Sequence, residues 1–490
     1  MNKLNLSVPP QRLSDLIFGL GVYSDDVWVS NICDDTRQLK AGDTFLCLPR
    51  VPDKQVMIAE AVRAGASSVI VVGSMKEALA VPCACVPDMQ AAGLLLRRWF
   101  QTEQTSVSCI GITGTDGKTS VTWMLREILG QHLGSAWSVG TLGWQSSAGE
   151  MIDLGNTTPS LMTLHRLLAL AEQQGVGALV LEVSSHGIAQ ERIVGLPIVS
   201  AIWTTIGHDH LEDHGGFEAY LAHKTSFVQG VANAGDTVVA NADYEIIKQA
   251  LADIASEVSW YAQHQDADLT WHVDGGKAYF RDESGEIAFK QVSLADFHVE
   301  NLAAVALLMR EQFGLSLAAF QAYDGKLSAP AGRLEPVDEA SQVLIDYAHT
   351  AEGLQRCLQS ARKLGQGQLL LVFGCGGNRD KAKRPKMGEV AARYADICWL
   401  TSDNPRDEAQ ADIAADILAG VDGSCEHIHV LEDRAEAISQ AVQALHQDDI
   451  LVIAGKGHES YMEIRGKRLP WSDKEQARKA LQQRQVQPCV

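Results

Sequence analysis

The stretch "GITGTDGKTS", residues 111–120, ends a glycine-bearing loop on a Lys118-Thr119 pair. A lysine so placed reaches the terminal phosphates of a nucleotide, and the threonine hydroxyl after it ligates magnesium. The common spacing G-x-x-x-x-G-K-[ST] would require a glycine at position 112, where this chain has Ile112; its glycines stand at 111, 114 and 117. A second candidate is Glu182 in "ALVLEVSSHG", at the end of an apolar run. A buried carboxylate without a partner is costly, and a metal at the phosphates would supply one. A third is "TTIGHDHLEDHGGFEAYLAHKTSF", which gathers His208, Asp209, His210, Asp213, His214 and Lys224. Read alone, this cluster fits a metal-dependent hydrolase and a solvated turn equally well.

These residues need strands and helices in a particular order. The run "VSCIGITG" reads as a strand, its loop opens onto a helix from about Lys118, and backbone N–H groups at that helix N-terminus favour an anion. Short apolar runs alternate with amphipathic stretches along the whole chain, so the class is α/β, with parallel sheets covered by helices. A first region carries "DTFLCLP" and "SSVIVVG" and ends near "MQAAGLLLRRWF". After the predicted helix "HVENLAAVALLMREQFG", the proline-bearing "KLSAPAGRLEPV" reads as a linker. Beyond it, "QVLIDYA", "QLLLVFG", "DICWLTS", "HIHVLED" and "DILVIAG" read as strands that run into polar or glycine-bearing loops. Ligands of open α/β sheets lie outside the carboxyl ends of the strands, so those loops are expected to share a site.

At 490 residues the chain is too long for one core, and its size suggests about three domains. A net charge of -20 argues against a nucleic-acid or anionic-membrane surface. Ten cysteines without Cys-x-x-Cys spacing read as free thiols of a reducing cytosol. No apolar run is long enough to span a membrane, and the N-terminus lacks the features of a signal peptide.

Eight segments, "GITGTDGKTS", "EVSSHG", "DHLEDHG", "GRLEPV", "DYAHT", "GCGGNRDKAKRPKMG", "SDNPR" and "AGKGHE", occur in the order seen in the Mur ligases, and the chain resembles that family over nearly its whole length. The shifted glycine spacing resembles the family's own form of the loop. The resemblance implies three domains: a UDP-binding domain at 1–98, a central ATPase domain with a P-loop-type parallel sheet at 99–330, and a C-terminal Rossmann-like, amino-acid-binding domain at 331–490. It also implies an amide-forming reaction through an acyl phosphate, with ATP as co-substrate and magnesium as cofactor. Nucleotide contacts would come from Gly114, Thr115, Asp116, Gly117, Lys118, Thr119, Ser120, Asn301, Arg333, Asp346 and His349. Thr119 and Glu182 would serve one magnesium, and His210 with Lys224 a second. Lys224 would be modified to a carbamate from carbon dioxide. Catalysis would then rest on Lys118, Glu182, His210 and Lys224.

Further carry-over concerns the substrates. Thr36 of "DDTR", Asn156, Thr157 and Thr158 of "NTTPS", and Ser184, Gln190 and Arg192 of "SSHGIAQER" would hold UDP-N-acetylmuramoyl-L-alanyl-D-glutamate. "DNPR" resembles the form found in members that add meso-diaminopimelate. That amino acid is lysine with a distal carboxylate, which the guanidinium of Arg406 can grip through two parallel hydrogen bonds. Arg379, Asp403, Asn404, Pro405, Gly455 and Glu459 complete that set. The resemblance thus implies a bacterial cytoplasmic enzyme of peptidoglycan synthesis, acting as a monomer, with a hinge near 328–332.

Some positions depart from the family pattern: Thr205 where asparagine is usual, His208, His298, Asn378 and Ala351, and "PDKQV" in place of an Asp-Gly-His motif. Rival readings are a lysine-adding or folate-polyglutamate member, a non-catalytic nucleotide-binding scaffold, and a zinc hydrolase built on His208, His210 and His214.

Overall fold

A computed structural model describes residues 6–49, 53–74, 79–207, 216–289, 296–327, 330–338, 342–422 and 427–486. The chain divides into two compact units, Met1–Tyr261 with Leu307–Gly314, and Ala262–Ala306 with Leu315–Val490.

The first unit holds, besides a two-stranded pair of Gln11–Arg12 with Trp28–Val29, two larger sheets. The smaller orders its strands Val22–Tyr23, Cys83–Val86, Ser68–Val72, Thr44–Cys47 and Ile32–Cys33, parallel except for the first pair. Helix Met89–Trp99 buries Ala92, Leu95, Leu96 and Trp99 in a core shared with Leu161, Met162 and Ala169 of helix Leu161–Gln173. Asp88 caps the former, accepting from Ala91 N, and Ser160 caps the latter, accepting from Thr163 N, each satisfying an orphan amide of the first turn.

The larger sheet runs, in spatial order, through Met151–Ile152, Gly143–Gln145, Ala136–Gly140, Ala178–Glu182, Ser108–Thr113, Ile198–Trp203, Thr237–Asn241 and Val258–Ala262. It is parallel from Ala136–Gly140 to Val258–Ala262. Its central strands are buried on both faces, which is why they read as unbroken apolar runs. Three of them, ending at Thr113, Gly140 and Glu182, are neighbours, so their carboxyl ends open at one place.

In the second unit, Leu269–Asp274, Lys277–Asp282 and Gly285–Phe289 form an antiparallel meander. The proline-bearing stretch read as a linker lies inside this unit. A six-stranded sheet follows, ordered Glu335–Pro336, Val343–Ile345, Ile450–Ile453, Leu369–Phe373, Ile397–Leu400 and Ile428–Val430. All its pairs but the first are parallel. Leu369, Leu371 and Phe373 enter one apolar core and Leu370 and Val372 another, so helices cover both faces. The loops after Phe373, Leu400 and Ile453 therefore crowd one end.

The eight cysteines among the described residues are free thiols. No described helix is long and apolar enough to cross a membrane.

Candidate active site

The phosphate-loop residues sit between strand Ser108–Thr113 and helix Lys118–Leu133, as the sequence predicts. Gly114 and Gly117 have φ of 149° and 87°, a region that favours glycine, and a Cβ on Gly114 would lie 2.0 Å from Thr204 Oγ1. Gly111 lies in the strand itself, where a Cβ would meet the Phe227 ring at 2.5 Å. Two of the three glycines thus shape the loop and one serves packing.

Thr204 and Thr205, just past strand Ile198–Trp203, brace the loop. Thr205 O accepts from Thr115 N at 3.0 Å and Thr205 Oγ1 from Asp116 N at 2.8 Å, while Thr204 Oγ1 donates to Asp116 O at 2.5 Å. Thr205, noted as a departure from the family pattern, is therefore part of the loop's support. Lys118 Nζ donates to Gly114 O and Thr115 O, both at 2.8 Å, which holds the ammonium at the loop's mouth. Ser120 is buried behind it.

Glu182 ends its strand in register with Ile112 and is 2% exposed. Its Oε2 accepts from Thr119 Oγ1 at 3.0 Å and from Thr141 Oγ1 at 3.1 Å, and its Oε1 accepts from Thr141 N at 2.9 Å. A hydroxyl and a carboxylate so close together are hard oxygen donors of the kind magnesium takes, and these two residues fit that ion. Thr141 did not figure among the sequence candidates. Its signal was its place one residue beyond the carboxyl end of a parallel strand.

Lys224 is a buried side chain on helix Phe217–Asn233, 1% exposed. Its Nζ donates to Gly114 O at 2.9 Å and lies 4.6 Å from the Tyr220 ring centroid; the Tyr220 hydroxyl is 2.9 Å from Thr115 Oγ1. The lysine therefore reaches the same loop as Lys118. His210, with His208, Asp209, Asp213 and His214, lies outside the described residues.

The substrate-loop residues draw together next to this cluster. Thr157 Oγ1 is 3.2 Å from Thr141 Oγ1, and Thr158 Oγ1 donates to Glu182 O at 2.8 Å and lies 3.0 Å from Ser184 Oγ. Arg192 donates to Thr158 O at 2.5 Å and to Gln190 Oε1. Asn156 precedes them and is exposed. Thr36 sits in a separate turn closed by Asp35, whose carboxyl the Arg37 guanidinium holds down at about 2. Burial pushes the neighbouring Asp34 carboxyl up, with the charge of Arg166 pulling the other way.

In the second unit, Asn301 is buried on helix Asp296–Phe313. Asp346 accepts from Leu334 N and Ala348 N, both at 2.7 Å, so it staples the turn at Arg333 to its own strand end, and burial pushes its carboxyl up. The Arg333 guanidinium lies 5.2 Å from the Tyr347 ring centroid, and His349 O accepts from Lys383 Nζ at 2.8 Å.

The amino-acid set forms one network at the ends of strands Ile397–Leu400 and Ile450–Ile453. Asn404 Nδ2 donates to Glu459 Oε2 at 2.8 Å, and Asn404 Oδ1 accepts from Lys456 Nζ at 3.1 Å and Glu463 N at 2.8 Å. Lys456 Nζ also reaches Glu459 Oε2 at 2.9 Å. Lys456 and Glu463 were not among the predicted residues, although Lys456 stands inside "GKGHES". Asp403 is buried against Gly455, where a Cβ would lie 2.5 Å from its Oδ2, so the glycine admits this carboxylate. Burial pushes Asp403 up, with Lys456 and Arg434 opposing.

Pro405 leads into Arg406, which has φ of 51° and donates through Nη1 to Gly377 O at 2.8 Å and through Nε to Glu463 Oε2 at 3.2 Å. Arg379 is exposed, with its Cγ and the Arg406 Nη1 both near the position a Gly376 Cβ would take. Beneath them, fully buried Arg434 pairs with Asp473 and donates to Ser402 O and Ala454 O, which ties the two strand ends together.

Comparison with known proteins gives matches over most of the chain. Residues 112–309 match the family model of the Mur ligase middle domain, and residues 332–457 that of the Mur ligase, glutamate ligase domain. The protein of Caldanaerobacter subterraneus subsp. tengcongensis named UDP-N-acetylmuramoyl-L-alanyl-D-glutamate–2,6-diaminopimelate ligase is 33% identical over 482 residues, covering 95% of this chain and 98% of its own. A protein of the same name from Pseudomonas syringae pv. tomato is 35% identical over 479 residues, covering 93% and 96%. A solved structure of a ligase so named superposes with a TM-score of 0.70 at 29% identity, covering 97% of this chain and 100% of that one. The MurF ligase of Thermotoga maritima in complex with ADP shares the fold, with a TM-score of 0.60 at 18% identity and coverage of 92% and 97%.

Proposed function

The chain belongs to the Mur ligase family, and from that membership we propose that it adds meso-diaminopimelate to UDP-N-acetylmuramoyl-L-alanyl-D-glutamate in peptidoglycan synthesis. Mur ligases are ATP-dependent amide-forming enzymes that use magnesium. The observation that carries the amino-acid choice is Arg406, a guanidinium held on Gly377 O and Glu463 with its outer edge left for a carboxylate.

A carboxylate is a poor electrophile. The γ-phosphoryl group of ATP passes to the terminal carboxylate of the dipeptide, giving an acyl phosphate and ADP. The amine of diaminopimelate attacks the acyl carbon, the C–O bond to phosphate breaks, and an amide and inorganic phosphate result. Such phosphoryl transfer rests on positioning and charge neutralisation. Lys118 would exchange its two loop carbonyls for β- and γ-phosphate oxygens. Thr119 and Glu182 would hold magnesium, which supplies positive charge beside the phosphates. Thr204 and Thr205 keep the loop amides aimed at the nucleotide. Thr157, Thr158, Ser184, Gln190 and Arg192 offer hydroxyl, amide and guanidinium groups to the UDP-substrate, with Thr36 and Asn156 contributing from their own turns.

We assign further contacts with ATP to Gly114, Thr115, Asp116, Gly117, Ser120, Asn301, Arg333, Asp346 and His349. The domains are assigned to 1–98, 99–330 and 331–490, and the enzyme to the bacterial cytoplasm as a monomer. Lys224 is assigned as a carbamate that joins His210 in holding a second magnesium. Its burial beside Gly114 supports this, because an ammonium would repel the metal there. Incubation with isotopically labelled bicarbonate should label Lys224, and an unlabelled lysine would sink that assignment.

Phosphate release from ATP with magnesium and the UDP-muramoyl dipeptide tests the reaction. Release with meso-diaminopimelate, but not with L-lysine or without amino acid, is the expected result. Release with lysine alone would keep the ligase chemistry and overturn the role of Arg406.

A further inference from the structure

Arg406 is useful only if its guanidinium is aimed. An arginine side chain has many rotamers, and a flexible one binds a carboxylate weakly because ordering it opposes the bond. Here the strand Tyr461–Ile464 runs alongside the turn that carries Arg406. Arg406 N donates to Glu463 O at 3.1 Å, Arg465 N donates to Arg406 O at 2.9 Å, and Glu463 N donates to Asn404 Oδ1 at 2.8 Å. None of these bonds uses the side chain at 463, so they fix both backbones whatever residue stands there. The Glu463 carboxylate then takes Arg406 Nε at 3.2 Å, while Gly377 O takes Nη1 at 2.8 Å from the other side. The two side chains are 18% and 25% exposed, so the pair lies at the mouth of the network. Among the described residues, Nη2 has no protein acceptor, and the edge formed by Nη2 and the second Nη1 proton is the one that can take a carboxylate through two bonds.

We propose that Glu463 is a positioning residue for amino-acid specificity: it locks Arg406 by its Nε edge so that the opposite edge meets the distal carboxylate of the incoming amino acid. This rests on the reading of Arg406 given above. The carboxylate acts through Arg406 and does not touch the substrate. A glutamine can do the same work, because its carbonyl oxygen also accepts from Nε–H.

The test is steady-state kinetics on the full-length enzyme with saturating ATP and UDP-muramoyl dipeptide, varying meso-diaminopimelate and, separately, L-lysine. Glu463→Ala should raise the KM for diaminopimelate about tenfold, with kcat and the KM for ATP changed less than about twofold. Glu463→Gln should stay within about threefold of the parent. Lysine has no distal carboxylate, so discrimination against it should fall in the alanine variant alone. If Glu463→Ala does not fold, as judged by its melting transition, Glu463→Met keeps the side-chain bulk and takes its place. An unchanged KM for diaminopimelate, an equal rise for ATP, or a glutamine variant as impaired as alanine would each overturn the proposal. A parent enzyme that uses lysine and not diaminopimelate would defeat the underlying reading and this inference together. Parent turnover of diaminopimelate with an unaffected alanine variant would defeat the inference alone.

Discussion

Glu182, proposed above as a magnesium ligand, is held by a residue that need not touch the metal. Thr141 gives its N–H to one carboxylate oxygen and its hydroxyl to the other, and the same hydroxyl lies 3.2 Å from Thr157 in the substrate loop. Outer partners of this kind orient a ligand, and their loss typically costs about 10–100-fold in metal affinity or activity. Thr141→Val keeps the shape and the N–H but removes the hydroxyl. It should raise the magnesium concentration for half-maximal rate by about tenfold, and Thr141→Ser should restore it. A magnesium titration in which valine and serine behave alike would refute this. Lys118→Ala, which removes the charge from the phosphate loop, should cost at least about 10²-fold in kcat. A zinc hydrolase indifferent to ATP would be untouched by it.

At the scale of elements, the two sites depend on strand ends held at fixed spacing. Strand Ala136–Gly140 ends beside Glu182, and a Cβ on Gly140 would lie 2.1 Å from Glu182 Oε1 and 2.5 Å from its Cδ. The clash is with a side chain that can swing away, so Gly140→Ala should fold with a loss of about 1–3 kcal/mol. The carboxylate would move with it, and ligase activity should fall far more than stability does. Chemical denaturation and phosphate release on the same sample separate the two effects. In the second unit, the buried Arg434–Asp473 pair ties Ser402 to Ala454. Arg434→Met leaves the Asp473 carboxylate buried without its counter-charge, with the Trp471 indole N–H still donating to it, and should destabilise by about 3–5 kcal/mol. Adding Asp473→Leu should recover much of that, as read from the denaturant midpoint.

For the whole molecule, acid should act unequally on the two units. His165 in the first unit is buried, its Nε2 2.9 Å from Val194 O, and burial lowers its pKa from 6.5 to about 4. A folded value below the unfolded one means that its stabilisation is complete above 6.5 and is lost as pH falls toward 4. Glu408 in the second unit is held down from 4.5 to about 2 by the Arg384 guanidinium, so its contribution persists until pH drops below 4.5. Burial pushes Asp346 and Asp403 in the second unit upward, as it does Asp34 in the first, and acidification relieves all three. Hydrogen exchange followed by peptide mass should therefore show protection falling first around His165 between 6.5 and 4.5. His165→Leu should flatten that response. Earlier loss in the second unit would contradict the assignment.

The sequence by itself determined whatever depends on neighbours along the chain. The strand, loop and helix around Lys118, the strand end at Glu182 and the turn at Arg406 were legible because periodicity, glycine placement and residue type act within a few positions. Five strands of the six-stranded sheet were legible for the same reason, whereas the meander at 269–289 and the short strand Tyr461–Ile464, which mix polar residues into brief runs, were not. Only the tertiary structure decided which strand ends meet. Thr141 reaches Glu182 across 41 residues, Asn404 meets Lys456 across 52 and Arg434 finds Asp473 across 39. In a parallel sheet the spatial order of strands is set by crossovers and by burial of both faces, and no local pattern records it. For that reason Lys224, which alone reads as a surface lysine, proved to be buried beside the phosphate loop, and Glu463, which no local pattern singles out, proved to face Arg406.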